Sequence, residues 1–227
     1  MRRHSLARGL WRLPLLVVLA SMLAGCGVVV RGVQDGVVAV QGMAYEGRYG
    51  PLTDEESAWA KTAWRYVQNN YSYATGLANA SDGYAAASMW DAADVLAATI
   101  AAHETGLLND KGFDERVSTL LQFLNTMPLA DGLPNRRYDT RTGRPLRDDG
   151  EPGLAGWSPT HIGRLLTWLR ILRDRYPEYG EYVDRAVLRW RFCECVGDDG
   201  TLYGGNVGGD RYQEGRLGTE EYAARGF

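Results

Sequence analysis

The stretch SMWDAADVLAATIAAHET, residues 88–105, decides how the rest of the chain is read. Its apolar side chains fall on nearly every side of a helix, the mark of a helix buried all round rather than one with a wet face. The helix is expected to run from about Ser88 to Thr105, and Gly106 is placed to end it. Asp91 and Asp94 are its only charged residues before the last turn. Three apart, they share one face near the N-terminus, where the helix dipole favours anions. Carboxylates there either cap and solvate the helix end or face a water-filled cleft.

The flanking segments are also helical, with a different face. Thr53 to Glu56 is a capping box that predicts a helix running towards Asn69, with Trp59, Ala63 and Tyr66 on one face. From Phe113 to Met127, Val117, Leu120, Leu121 and Leu124 make one stripe and Glu115, Arg116, Ser118 and Gln122 the other face, so this helix is half exposed. Pro128 closes it, and residues 129–156 read as a long loop with turn chemistry around Thr142-Gly143. Ser158-Pro159 opens another helix, with Ile162, Leu165, Leu166, Leu169 and Leu172 as its core stripe. Pro177 starts a fifth, with Tyr179, Val183, Val187 and Trp190 turned inward, and Thr219 begins a sixth. Buried and half-exposed helices roughly alternate and no short internal repeat is present, which predicts an all-α fold of helix hairpins. The pattern suits an α/α toroid, a ring of inner helices inside a ring of outer ones. Five helices and the start of a sixth do not close such a ring, so the chain is expected to be the N-terminal part of one, incomplete at its C-terminus and inactive as a fragment.

The first 25 residues carry Arg2, Arg3, Arg8 and Arg12 ahead of an apolar run from Leu13 to Leu23, the layout of an export signal rather than a membrane span. Leu23-Ala24-Gly25-Cys26 resembles the bacterial lipobox. Acylated Cys26 would then be the mature N-terminus, anchored in a lipid bilayer by several chains. Gly27 in the next position favours the outer membrane in a Gram-negative host. The expected organisation is a lipoprotein signal over 1–25, a Gly- and Val-rich tether over 26–50 and the helical domain over 51–227. A flexible tether of that length reaches roughly 25 Å from the bilayer.

Removing the signal takes away four arginines and no acid, moving the net charge from −3 to −7. An acidic chain with no basic run is not a nucleic-acid binder. Cys193 and Cys195 are two apart near a probable helix end, where a bridge between them would be strained, and read as small buried side chains. His103 and His161 sit in separate helices without metal-ligand spacing and read as structural, so neither a metal nor a cofactor is expected. The Gly204, Gly205, Gly208 and Gly209 cluster has no preceding strand or βαβ unit and is a loop, not a dinucleotide fingerprint. No G-x-S-x-G elbow is present.

Five strings, SMWDAADVLAA, FLNTMPLADGLPNRRYDTRTG, GWSPTHIGRLLTWLRILRDRYPEY, VDRAVLRWRFC and LYGGNVGGDRYQEGRLGTEEYAARGF, resemble in order and separation the bacterial envelope family known as domain of unknown function 3131. The likeness runs from Thr53 to Phe227, and the family continues past the equivalent of Phe227. That family is in turn distantly similar to glucoamylase-like α/α toroids, including those acting on β-1,2-glucans.

The resemblance implies a cleft at the loop-bearing ends of the inner helices, with a glucan or other oligosaccharide as ligand. Glycoside cleavage needs two carboxyls, one acid and one base or nucleophile, about 5 to 10 Å apart. By resemblance Glu221 is the expected general acid, and Asp91 or Asp94 the opposing carboxylate. Glu214 is expected to face the same cavity. Trp90, Trp157, Tyr203 and Tyr212 supply aromatic faces for sugar rings or, alternatively, core packing. Asn135, Arg136, Tyr138 and Asp139 are expected to line the cleft from the long loop, Asp139 equally as a turn former. A glycoside hydrolase or transglycosylase, a glycan-binding module without the chemistry, and a structural envelope lipoprotein are the readings that remain.

Overall fold

The computed structural model describes residues 50–214 and 219–227. The proposed signal, Cys26 and all of the tether except Gly50 lie outside the described residues. Six α-helices appear among the described residues: α1 Asp54–Asn70, α2 Met89–Glu104, α3 Asp110–Thr126, α4 Pro159–Arg175, α5 Gly180–Val187 and α6 Thr219–Ala224. Helix α4 packs against both α2 and α6, whereas α3 and α5 lie against each other and outside α2 and α4. The result is an inner row, α2, α4 and α6, backed by outer helices.

The caps explain the boundaries. Thr53 accepts from the Glu56 N–H at 3.3 Å while Glu56 Oε2 accepts from the Thr53 N–H at 2.8 Å. Ser88 and Asp91 make the same reciprocal pair on α2, and Ser158 caps α4 with Pro159 in its first position. The third helix begins at Asp110, capped by Asn109, three residues ahead of the expected start at Phe113. Pro177 starts a 3-10 turn, Pro177–Tyr179, that leads into α5.

Helix α2 is covered nearly all round, as expected, exposing only Ala101 and Glu104, and α4 exposes nothing before Asp174. Leu96 of α2, Leu120 and Leu124 of α3, and Ile162, Leu165, Leu169 and Leu172 of α4 are each at most 2 % exposed and share one core. Each such side chain contributes about 1.5–3 kcal/mol of burial. On α1 the buried residues are Trp64, Val67 and Asn70, and the Trp59, Ala63, Tyr66 face is exposed. The helix carries two apolar stripes, and the core takes the one that lies over Ala102 of α2.

The fold is not purely all-α, because the long connections are pinned by three small antiparallel sheets. These are β1 (Ala86–Ala87), β4 (Arg137–Asp139) and β5 (Pro145–Leu146); β2 (Leu129–Ala130) and β3 (Leu133–Pro134); and β6 (Gly156–Trp157), β7 (Tyr203–Asn206) and β8 (Arg211–Gln213). Pairings of Ala87 with Tyr138 and of Trp157 with Gly205 hold the 129–156 and 196–214 connections at the N-terminal ends of α2 and α4. Asn135, fully buried, ties this region together: its amide donates to the carbonyls of Arg137 at 2.7 Å and Leu146 at 3.0 Å, and its Oδ1 accepts from Ala155 and Gly156 at 2.8 and 3.2 Å. Strands of two to four residues cannot show the alternation by which a strand is read from sequence.

Candidate functional site

The caps place the same offset of two inner helices side by side. Asp91 is the third residue of α2 after its cap Ser88, and His161 is the third residue of α4 after its cap Ser158. Between them lies a cavity of about 290 Å³, lined among others by Ser81, Tyr84, Asp91, Arg137 and His161. Asp91 Oδ2 accepts from the Ser88 N–H and hydroxyl, both at 2.7 Å, so Oδ1 stands outside the cap. Arg137 is delivered by β4 through its pairing with β1.

Glu214 enters from the end of β8. Its Oε1 accepts from Thr160 Oγ1 at 2.6 Å and also from the Ser158 hydroxyl, so the carboxyl sits on the first turn of α4. Oε2 is buried with no hydrogen-bond partner among the described residues, as is His161 Nδ1. Gly204 makes room for this carboxyl, since a Cβ there would stand 2.6 Å from Oε2.

Burial pulls the His161 pKa below its ordinary 6.5; the carboxylates of Glu214 and Asp91 oppose that, while Arg137 and Arg136 reinforce it. A largely neutral imidazole thus stands within electrostatic reach of two carboxylates, the residue types of general acid–base chemistry.

Other expected site residues have different surroundings. Asp94 is paired with Arg164, whose Nε lies 3.0 Å from Oδ1 and whose guanidinium also covers Trp90 at 4.2 Å and approaches Tyr222 at 5.5 Å. One face of the half-buried Trp90 is therefore occupied by a cation. Tyr138 is fully buried; its hydroxyl accepts from the Asn135 N–H and donates to the Pro128 carbonyl, both at 2.7 Å, which makes it a core residue beneath the loop. Trp157 is 4 % exposed, with its indole N–H 3.3 Å from the Tyr203 carbonyl and its ring against Gly205.

Tyr203 borders a second cavity of about 300 Å³ with Asp198, Asp199 and Arg211, away from Asp91. Tyr212, partly exposed, lies against Gly204 with the Arg136 guanidinium 6.0 Å from its ring. Glu221 is exposed on α6, while Tyr222 turns inward towards Trp90. Asp139 accepts from the N–H groups of Arg141 and Thr142 at 2.9 and 2.8 Å, the turn-forming role. Arg136 joins Asp148 at 2.6 Å to Asn206 and the Gly205 carbonyl, clamping the loop onto β7. Cys195 is buried and free, whereas Cys193 is exposed, so the expectation of small buried side chains describes one of the two.

Arg137 has no counterpart among the residues expected from sequence, and His161, expected to be structural, lines the cavity. The signal for His161 was present: SMWDAAD (88–94) and SPTHIGR (158–164) align on their caps, setting Asp91 beside His161 and Asp94 beside Arg164.

Residues 58–227 match the family described as "Protein of unknown function (DUF3131)". Among solved structures the chain is similar to an endo-β-1,2-glucanase from Chitinophaga pinensis, seen with sophorotriose and glucose, at 14 % identity and TM-score 0.53, covering 67 % of this chain and 40 % of that one. It is similar as well to a "putative glucoamylase" from Bacteroides fragilis (16 % identity, TM-score 0.53, 69 % of this chain and 41 % of that one) and another from Bacteroides uniformis (18 %, 0.54, 68 % and 40 %). These likenesses establish the fold as that of part of a glucoamylase-like toroid, and the chain spans about two fifths of the length of each. No curated protein matches it.

Proposed function

For a chain that belongs to the DUF3131 family, we propose the role of a carbohydrate-active envelope lipoprotein, a glycoside hydrolase or transglycosylase that works on a glucan by paired carboxylates. The observation that carries this reading is the grouping of Asp91, His161 and Glu214 at the N-terminal ends of neighbouring inner helices. The fold shared with the endo-β-1,2-glucanase supports a glucan as the substrate class.

In this account Glu214 and Asp91 are the acid/base pair. Glu214 is fixed by two hydroxyls on one oxygen and has the other available for a proton, and Asp91, on the neighbouring inner helix, lines the cavity with Oδ1 outside its cap. Glu221, exposed on α6, is the alternative acid. His161 stands within electrostatic reach of both carboxylates and, neutral, adds no fixed charge to the site. Export and lipidation at Cys26 would put this chemistry in the cell envelope.

A second reading, a glycan-binding module without turnover, is favoured by the burial of Glu214 Oε2, which sits beneath Gly204 of β7. Incubating the protein with a panel of β-1,2-, β-1,3-, β-1,4- and α-1,4-glucans and separating the products tests the first reading. Shortened or rearranged oligosaccharides support it. Binding without any product favours the second, and neither binding nor product removes both.

A further inference from the structure

We infer that the cavity between α2, α4 and β4 takes a sugar residue carrying an anionic substituent, held by Arg137. The inference rests on the proposed glycan role of this cleft and names the substrate class more narrowly than the fold does.

Other arginines of the domain have partners. Arg136 is paired with Asp148, Arg147 with Asp149 and Arg164 with Asp94. Arg189 and Arg211 donate to backbone carbonyls. Arg137 differs. It is half buried, lines the cavity, makes no ion pair among the described residues, and has as its side-chain hydrogen bond a long 3.4 Å contact to the Asp148 carbonyl. A guanidinium has five N–H donors in a planar fork that matches a carboxylate or phosphate. Most of that capacity is unused, so the fork is free to hold an anion that enters the cavity.

The rest of the wall is chosen for a sugar ring. Asp91 keeps Oδ1 for a hydroxyl, its other oxygen being taken by Ser88. Tyr84, 47 % exposed, offers an aromatic face. At about 290 Å³ the space is at the small end of ligand sites, suited to one ring rather than a chain. A neutral glucose unit would use the carboxylate and the aromatic wall and leave Arg137 unmatched; an acidic unit would use all three. A uronic carboxylate and a phosphate ester present the same chemistry to the fork.

Titration of the full chain with methyl β-glucuronide, glucose 6-phosphate and methyl β-glucoside, followed by ligand-observed NMR, tests this. The wild type should bind at least one acidic probe about tenfold tighter than the neutral one, with the preference shrinking as salt is added. The stronger acidic probe identifies carboxylate or phosphate as the group recognised. In Arg137→Gln the preference should fall to within about twofold, and Arg137→Lys should keep part of it; unchanged thermal melting of both variants controls for folding. Equal affinities in the wild type, a preference that survives Arg137→Gln, or no binding of any probe overturns the inference. Cleavage of neutral glucans without an acidic preference would end this inference and leave the proposed function standing. An acidic preference without cleavage of any glucan would do the reverse.

Discussion

Gly163 of α4 packs its bare Cα against the backbone of Ala223 on α6, so closely that a methyl group on Gly163 would overlap the Ala223 carbonyl oxygen. Gly226 meets the Gly163 carbonyl in the same way. The two glycines set the register of α4 and α6, and with it the position of Tyr222 over Arg164.

Gly163→Ala should therefore push α6 off α4 and destabilise the protein by about 1–3 kcal/mol, the usual cost of overpacking a tight contact. Denaturant unfolding checks this. A variant as stable as the wild type would mean that α6 is not held by this contact.

Much of this was legible in the sequence and some was not. The all-round apolar run of 88–105, Ser158 with Pro159 and the Leu165–Leu169–Leu172 stripe announced α2 and α4, because capping and a 3.6-residue period are local signals. On α1 the same reasoning had two apolar stripes to choose from, and only the partner helix decides between Trp59–Ala63–Tyr66 and Trp64–Val67. Residues 129–156 were read as loop because their order comes from distant partners, such as the Asn135 amide and the Ala87–Tyr138 pair. Trp157 takes the core-packing alternative, and Tyr138, expected to line the cleft, is buried beneath the loop. Glu214 was legible as a carboxylate near the cleft; that it rests on the α4 cap is a relation between residues 54 and 56 apart.

Arg116 is 8 % exposed, and its guanidinium lies 3.9 Å from the Tyr71 ring and 4.9 Å from the Trp64 ring. The cage ties α1 to α3, and burial there pushes the Tyr71 hydroxyl up to about 12. Arg116→Ala should cost about 2–4 kcal/mol through lost stacking and packing. A loss below about 0.5 kcal/mol, the range of an ordinary surface change, would rule the cage out as a stabilising element.

The neutral state of His161 has a pH signature. Burial holds its folded pKa below the unfolded 6.5, so the unfolded chain takes up the proton first as the pH falls. The stability contributed by the neutral ring is complete above pH 6.5 and is lost as the pH drops through the folded value. The wild type should weaken from pH 7 towards pH 5, and His161→Gln should flatten that decline. An identical decline in both proteins would show that His161 does not titrate in this way.

Acylation is tested apart from the fold. Labelled palmitate should enter the protein in a bacterial host and the product should sediment with membranes; Cys26→Ser should abolish both. Labelling that persists in the variant would place the lipid elsewhere or remove it from the account.

The central claim is that Glu214 and Asp91 act as a pair on a glycosidic bond. On a glucan that the wild-type protein cleaves, the decisive measurement is turnover by Glu214→Gln and Asp91→Asn beside substrate binding by the same variants. The account predicts that each loses about two to four orders of magnitude in kcat while binding changes by less than about tenfold. Full turnover in either variant, or an equal loss in binding and turnover, would contradict it.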